Sequence, residues 1–252
     1  MARLELHLLG TGAGLSDPHR TTTMLAFALG GETIAVDCGG DLAQRLLAAG
    51  RPLDSLKALI LTHEHADHVN GFPLLVERLW LSGRKQPLPI VGPPSAIDQA
   101  VRLWKSYDTS DWEGLFELDP RPVAMEGRPE IYRDAGWLIE SMPVQHGRIP
   151  AIGLRVEAGG SSIAYSGDTG PCDAVAALAE RADILVHEAT GGDFSGHSSA
   201  VQAAEIARKA GARRLLLVHL PPSAYLTGEI LDQARRIFPA TERGEELGRY
   251  AC

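Results

Sequence analysis

The segment Thr62-His63-Glu64-His65-Ala66-Asp67-His68 places four potential metal ligands, His63, His65, Asp67 and His68, within six positions. Imidazole nitrogens and a carboxylate at that density suit zinc and related divalent ions. Glu64 and Ala66 alternate with the ligands and need not face a cation. Ordinary packing does not account for such spacing. A dinuclear centre needs more donors than these, and the chain supplies them where strands are expected to end. His146 follows residues 141–145, Asp168 lies in Ser166-Gly167-Asp168-Thr169, and His219 follows residues 215–218. Strand ends are where α/β folds assemble their sites. Each of these three residues alone would read as structural; beside residues 63–68 they read as a ligand set.

The elements that must position these groups follow from hydrophobic periodicity and turn signals. Residues 4–9 predict a strand, followed by the turn Gly10-Thr11-Gly12-Ala13-Gly14. Residues 24–29 and 33–36 flank Gly30-Gly31 as a hairpin. Asp41 is placed to cap a short helix over 42–49, closed by Gly50. The apolar run 56–61 predicts a buried strand that delivers Thr62. A helix over 74–81, a strand over 88–91 and a helix from a Ser95 cap to about 107 come next. Residues 108–135 are mixed and proline-rich, and no element is assigned to them. Strands over 137–144, 151–156 and 162–166 follow, with Gly159-Gly160 turning the last two. A helix over 172–181, a strand over 184–187, a helix over 199–210, a strand over 215–219 and a helix over 230–238 complete the chain. Both halves run strands first and helix–strand units second. That order implies two packed sheets with helices outside, a four-layer α/β arrangement, in one domain spanning 1–252.

Bulk properties set limits. The 252 residues are 44% hydrophobic and 22% charged, an ordinary globular composition, and a chain of this length buries a large core without disulfide staples. The net charge of −8 excludes binding of nucleic acid through a general positive field. The short basic pairs Arg208-Lys209 and Arg213-Arg214 read as solvated helix ends. Cys38, Cys172 and Cys252 are scattered, form no C-x-x-C pair and fit a reducing compartment. Neither a signal-peptide run nor a stretch of about 18 apolar residues is present, so a cytoplasmic protein without a membrane partner is expected.

The order H-x-H-x-D-H, then His146, then Gly167-Asp168-Thr169, then His219 resembles the metallo-β-lactamase superfamily across nearly the whole chain. The resemblance implies the αββα sandwich and a dinuclear centre holding two zinc ions, with manganese and iron also suited to such ligands. Carried over residue by residue, it implies that His63, His65 and His146 hold one ion, that Asp67, His68 and His219 hold the other, and that Asp168 bridges them. It also places Asp67 among the catalytic residues. Asp37, in Val36-Asp37-Cys38-Gly39, matches an aspartate that orients ligand-bearing loops without binding metal; the plainer alternative is a turn residue.

Two segments narrow the branch. His187-Glu188-Ala189-Thr190 and Gly196-His197-Ser198-Ser199-Ala200 resemble segments of the tRNA 3′-end processing endonucleases, tRNase Z or ribonuclease Z. There a Glu–His dyad protonates the leaving oxygen, and the matching residues are Glu188 and His197. A carboxylate bonded to an imidazole raises its pKa and fixes its orientation, as a general acid requires. The plain alternatives are a helix-cap neighbour for His197 and a surface ion pair with an arginine for Glu188. Leu9-Gly10-Thr11-Gly12-Ala13-Gly14-Leu15 also looks like that family's start. Arg20-Thr21-Thr22-Thr23 sits where its Arg-Asn substrate loop lies, which makes Arg20 and Thr21 expected substrate contacts. Phe72 is either a pocket wall or simple packing. Pro221-Pro222-Ser223-Ala224-Tyr225 follows His219 as Ser-Pro-Arg-Tyr often follows that last ligand, with Ala224 in place of the arginine.

One departure stands out. The family's tRNA-gripping arm is inserted between the third histidine and the bridging aspartate, whereas His146 and Asp168 are only 22 positions apart. The expectation is therefore a phosphodiesterase acting on RNA 3′ ends or on a smaller phosphodiester. The alternative is a hydrolase of an ester, lactone, sulfate ester or thioester. The complete ligand set disfavours a non-enzymatic metal-binding protein. Family members are often dimers, so the resemblance also implies a homodimer. Trp104, Tyr107, Trp112 and Phe116 either line a pocket mouth or cover the core.

Overall fold

The computed structural model describes residues 2–191, 194–222 and 227–252. Its apolar runs form strands β1 (Leu4–Gly10), β2 (Met24–Leu29), β3 (Glu32–Val36), β4 (Leu56–Ile60) and β5 (Leu88–Gly92). Together with β6 (Leu118–Pro122) and β14 (Arg249–Ala251) they make a seven-stranded sheet in the order β14-β1-β2-β3-β4-β5-β6. The second sheet runs β13-β12-β11-β10-β9-β8-β7. Its strands are β7 (Glu130–Asp134), β8 (Trp137–Pro143), β9 (Ile152–Ala158), β10 (Ser161–Tyr165), β11 (Ile184–Glu188), β12 (Leu215–Val218) and β13 (Thr241–Arg243). Each sheet mixes antiparallel hairpins with parallel crossovers, β3–β4–β5 in one and β10–β11–β12 in the other.

Alternation along these strands builds three cores. Leu4, Leu6 and Leu8 meet Ile163, Val186 and Leu216 between the sheets. On the opposite face Leu9, Ala35, Leu59 and Ile90 pack against α1 (Leu42–Ala48), α3 (Phe72–Leu81) and α4 (Pro94–Lys105). In the second sheet Ala164, Leu185 and Leu217 pack under α5 (Asp173–Leu178), α6 (Ala200–Ala210) and α7 (Gly228–Ile237). Strands buried on both faces explain why these runs are continuously apolar. Each fully buried leucine or isoleucine contributes about 1.5–3 kcal/mol relative to exposure. Three cores between four layers give the αββα sandwich that the sequence implied.

Several details differ from the sequence reading. Helix α4 starts at Pro94 with Pro93 at its cap, so Ser95 sits inside the first turn and caps nothing. Helix α3 begins at Phe72, and Phe72 itself has no exposed surface. It is a core residue and not a pocket wall. The unassigned stretch 108–135 holds β6 and β7, edge strands of different sheets. Of the four aromatics at 104–116, three cover the core: Trp112 stacks on Trp80 at 4.4 Å and meets Trp104 edge-on at 5.4 Å, and Phe116 is buried, whereas Tyr107 is exposed. Of the basic pairs, Lys209, Arg213 and Arg214 are bound to Asp173, Asp183 and Glu242.

Between His146 and Asp168 lie β9 and β10, joined by a turn in which Gly159 and Gly160 both take positive φ. No arm protrudes there. Among the described residues, no helix is long and apolar enough to cross a membrane.

Candidate metal centre

Parallel pairing brings the C-terminal ends of β3 and β4 together in one sheet and those of β10, β11 and β12 together in the other. Residues 62–65 leave β4 and run into the short helix α2 (Ala66–Val69), which carries Asp67 and His68. His146 follows β8, Asp168 follows β10 and His219 follows β12.

The expected ligands meet. Ligand atoms of His63, His65 and His146 lie within 4.8 Å of one another, and so do those of Asp67, His68 and His219. Asp168 stands between the two trios. Its Oδ2 is 3.2 Å from His219 Nε2, 3.4 Å from His68 Nε2 and 3.8 Å from His63 Nε2. His146 Nε2 faces His65 Nδ1 at 3.1 Å, and His219 Nε2 faces Asp67 Oδ2 at 3.3 Å.

The donor set fits divalent cations. His68 Nδ1 donates to Asp37 Oδ2 (2.8 Å), His146 Nδ1 donates to the Gly196 carbonyl (3.0 Å), and His219 Nδ1 is bonded to Thr190 Oγ1 (2.7 Å). Each bond fixes a ring and leaves Nε2 aimed into the cluster, as supporting groups do around metal ligands. His63 Nε2 and Asp168 Oδ1 are buried with no hydrogen-bond partner among the described residues. An orphaned buried polar atom costs about 1–3 kcal/mol, a cost that a cation would remove.

The electrostatics agree. Burial and the neighbouring His68 push His63 well below the ordinary imidazole range, and burial also lowers His146. A neutral imidazole is the form that binds metal. Burial opposes charge on Asp168, but His219 and His68 hold its carboxyl well below the usual range. Burial likewise opposes charge on Asp67, and the bond to His219 and the charge of His68 overcome it. Burial disfavours a charged His68, yet the Asp168 and Asp37 carboxylates raise its pKa. Those carboxylates demand positive charge at this spot, and a bound cation would meet the demand in place of a proton.

Asp37 is the brace beneath this cluster and is 1% exposed. Besides His68 it accepts the Thr62 N–H and the Thr62 hydroxyl, both at 2.8 Å. Its φ of 61° turns the chain sharply after β3, and His219 is strained in the same way at 51°. Such positions cost about 1–3 kcal/mol and persist where surrounding bonds overdetermine them. Gly39 lets the loop lie flat on α2, because a Cβ there would sit 1.7 Å from the Asp67 carbonyl oxygen.

A second buried carboxylate serves the other sheet. Glu188, at the end of β11, is fully buried and accepts the N–H groups of Thr169 (3.2 Å), Thr190 (2.9 Å) and Ser198 (3.0 Å). These partners replace the arginine of the plain alternative. His197 Nδ1 donates to Glu188 Oε1 at 2.9 Å, and its ring stacks on His219 at 5.5 Å. Burial opposes a charged His197, but the bond to Glu188 raises its pKa. A ring nitrogen of His197 lies within 4.8 Å of ligand atoms of His146 and Asp168. Ser199 caps α6 through a reciprocal pair with Gln202, so His197 is free of that duty.

The rim is less as expected. Arg20 donates to the Pro221 carbonyl (3.3 Å) and pairs with Asp17 (3.4 Å). The Thr21 N–H donates to Glu246 (3.0 Å), and its side chain lies against Gly10 and Gly40. Both residues are therefore tied into the scaffold. The Ser223-Ala224-Tyr225 part of the segment after His219 lies outside the described residues. Sequence reasoning misses the supporting roles of Thr62, Thr190 and the Gly196 carbonyl. Thr190 stands inside a recognised segment, but nothing in one dimension ties it to His219, 29 positions away.

Comparisons with known proteins extend the picture. A family model described as "Beta-lactamase superfamily domain" matches residues 32–220. Ribonuclease Z of Methanothermobacter thermautotrophicus is 31% identical over 292 aligned positions, covering 97% of this chain and 95% of that relative. That alignment is longer than the chain, so the relative carries insertions. The crystal structure of human short-form tRNase Z aligns with a TM-score of 0.80 and 25% identity over 98% of each chain. The metallo-β-lactamase fold protein YhfI of Bacillus subtilis aligns over all of both chains with a TM-score of 0.84 and 22% identity, a likeness of fold.

Proposed function

Since the chain belongs to the β-lactamase superfamily, we propose that it is a metal-dependent phosphodiesterase that holds two zinc ions and cleaves an RNA 3′ end or a smaller phosphodiester. His63, His65 and His146 would hold one ion, Asp67, His68 and His219 the other, and Asp168 both. When bound, the ions would supply Lewis acidity, acidifying a water toward neutral pH and neutralising charge on the phosphoryl oxygens.

The observation that carries the phosphodiester reading is the Glu188–His197 pair. Glu188 Oε1 accepts the Nδ1–H of His197, with Nδ1 2.9 Å away, which would leave Nε2 to donate a proton to the departing oxygen. An alkoxide leaving group from a sugar needs that proton; many acyl substrates do not need this acid. Asp67 has a side chain 22% exposed, so it reaches the open side of the centre and would orient an attacking water. The short β9–β10 turn and the net charge of −8 favour a small substrate, or RNA held without an arm.

The test is turnover of bis-(p-nitrophenyl) phosphate by zinc-loaded protein, beside a nitrophenyl ester, a β-lactam and a pre-tRNA with a 3′ trailer. Metal-dependent diester cleavage that disappears in His68→Ala is the expected result, and the pre-tRNA arm decides between RNA and a smaller diester. Turnover of the ester or lactam alone would overturn the phosphodiesterase reading.

A further inference from the structure

Glu246 lies in the turn between β13 and β14, far along the chain from any ligand, and its side chain is 22% exposed. Its Oε2 accepts the Thr11 N–H (2.9 Å) and the Thr11 hydroxyl (2.8 Å). Its Oε1 accepts the Thr21 N–H (3.0 Å) and Arg45 Nη2 (2.9 Å). One carboxylate thus fastens the glycine-rich loop, the Arg20 loop and α1 together.

The fastened loop reaches one half of the metal centre. The Leu220 N–H donates to the Thr11 carbonyl (2.8 Å), and the Ala13 N–H donates to the Leu220 carbonyl (3.0 Å). The loop therefore grips the residue immediately after His219, whose positive φ needs restraint from outside. At its far end, Gly14 lies so close to Asp67 that a Cβ would sit 2.9 Å from Oδ2. His219 and Asp67 belong to the same ligand trio. No hydrogen bond of Glu246 among the described residues leads to His63, His65 or His146.

We infer that Glu246 is a positioning residue for the Asp67–His68–His219 half of the centre, acting through the loop 11–14. The inference rests on the two-ion reading above. A general structural role would weaken both ions together; this geometry weakens one. Zinc-free protein is titrated with Zn2+ and followed by calorimetry and by elemental analysis of the bound metal. Wild type should take up two ions. Glu246→Gln should keep one at wild-type affinity and weaken the other about 10-fold or more, as loss of outer support typically does. Double variants identify which ion is lost. Adding Glu246→Gln to His219→Ala should change little, while adding it to His146→Ala should weaken the remaining site about 10-fold or more.

Thr11→Val, which deletes the hydroxyl and keeps the N–H, should act in the same direction more weakly, and it carries the test if Glu246→Gln does not fold. Equal weakening of both ions, or of neither, overturns the role of Glu246 while leaving the two-ion reading intact. Uptake of a single ion by wild type overturns that reading and the inference with it.

Discussion

Asp37 and Glu188 occupy matching places in facing sheets, the first after β3 and the second at the end of β11. Both are buried carboxylates that accept at least one loop N–H and the Nδ1–H of a histidine, with N···O distances of 2.8 Å for His68 and 2.9 Å for His197. Both histidines have raised pKa values despite burial, chiefly from Asp168 and Asp37 for His68 and from Glu188 for His197. The device favours positive charge at the far edge of the imidazole in each case. What differs is what that edge meets. His68 has no exposed side-chain surface, and its Nε2 is enclosed by His219 at 3.4 Å and Asp168 at 3.4 Å. The His197 side chain is 16% exposed. An enclosed edge can hold a cation, whereas an open one can hand a proton to a substrate. On the proposed function, the same carboxylate–histidine unit would make a ligand or an acid according to access.

The harshest way to break the comparison is to take away the cation. Chelation should abolish diester cleavage altogether and lower the melting temperature, because metal that binds only the folded state stabilises it by about 3–4 kcal/mol at 100–1,000 times its dissociation constant. Calorimetry with and without chelator checks this. Unchanged activity after elemental analysis confirms metal removal would sink the assignment of His68 as a ligand.

Substitution of the two carboxylates should then separate their roles. Asp37→Ala should weaken metal binding about 10–100-fold and depress turnover of every substrate alike. Glu188→Gln should leave zinc uptake near the wild-type level and slow only substrates with poor leaving groups. Parallel zinc titration and kinetics read both effects, and identical profiles for the two variants would erase the distinction. His197→Ala isolates the acid itself. It should cost about 10²–10⁴ in rate on a diester with an alkoxide leaving group and little on a nitrophenyl diester, whose leaving group needs no proton. Equal losses on both would remove His197 from the proton path.

This division is partly legible in the sequence. Residues 63–68 place four candidate ligands within six positions, so their proximity needs no tertiary knowledge. Short motifs single out Asp37, Glu188 and His197, because Asp37 and Glu188 sit at strand ends and His197 in the loop beyond β11. What stays hidden depends on distance along the chain. Thr11 and Glu246 are 235 positions apart, and no local pattern joins them. Strand β14 is three residues of Arg-Tyr-Ala that pair with β1, too short to signal itself. Strand β6 reads Leu-Asp-Pro-Arg-Pro; its prolines argue against a central strand and are tolerated because it is an edge. Phe72 is ambiguous in sequence, which gives the helix period but not which neighbour covers the face.

The smallest effect bears on why the acid side can be tuned alone. The Ser198 N–H donates to Glu188 at the entrance of α6, one residue before the cap Ser199. Asp37 has no comparable helix start behind it; its donors come from Thr62 and His68. Ser199→Ala removes a side-chain cap and should cost about 1 kcal/mol of stability. Because the lost bond sits at the end of the loop that carries His197, the dyad should loosen while the ligand trios stay fixed. The expected result is a fall of a few-fold in turnover of poor-leaving-group diesters, with wild-type zinc uptake and unchanged nitrophenyl diester kinetics. Thermal melting together with the two substrate assays tests it. A loss of zinc affinity in Ser199→Ala would mean that α6 supports the whole centre and that the two carboxylates are not independent braces.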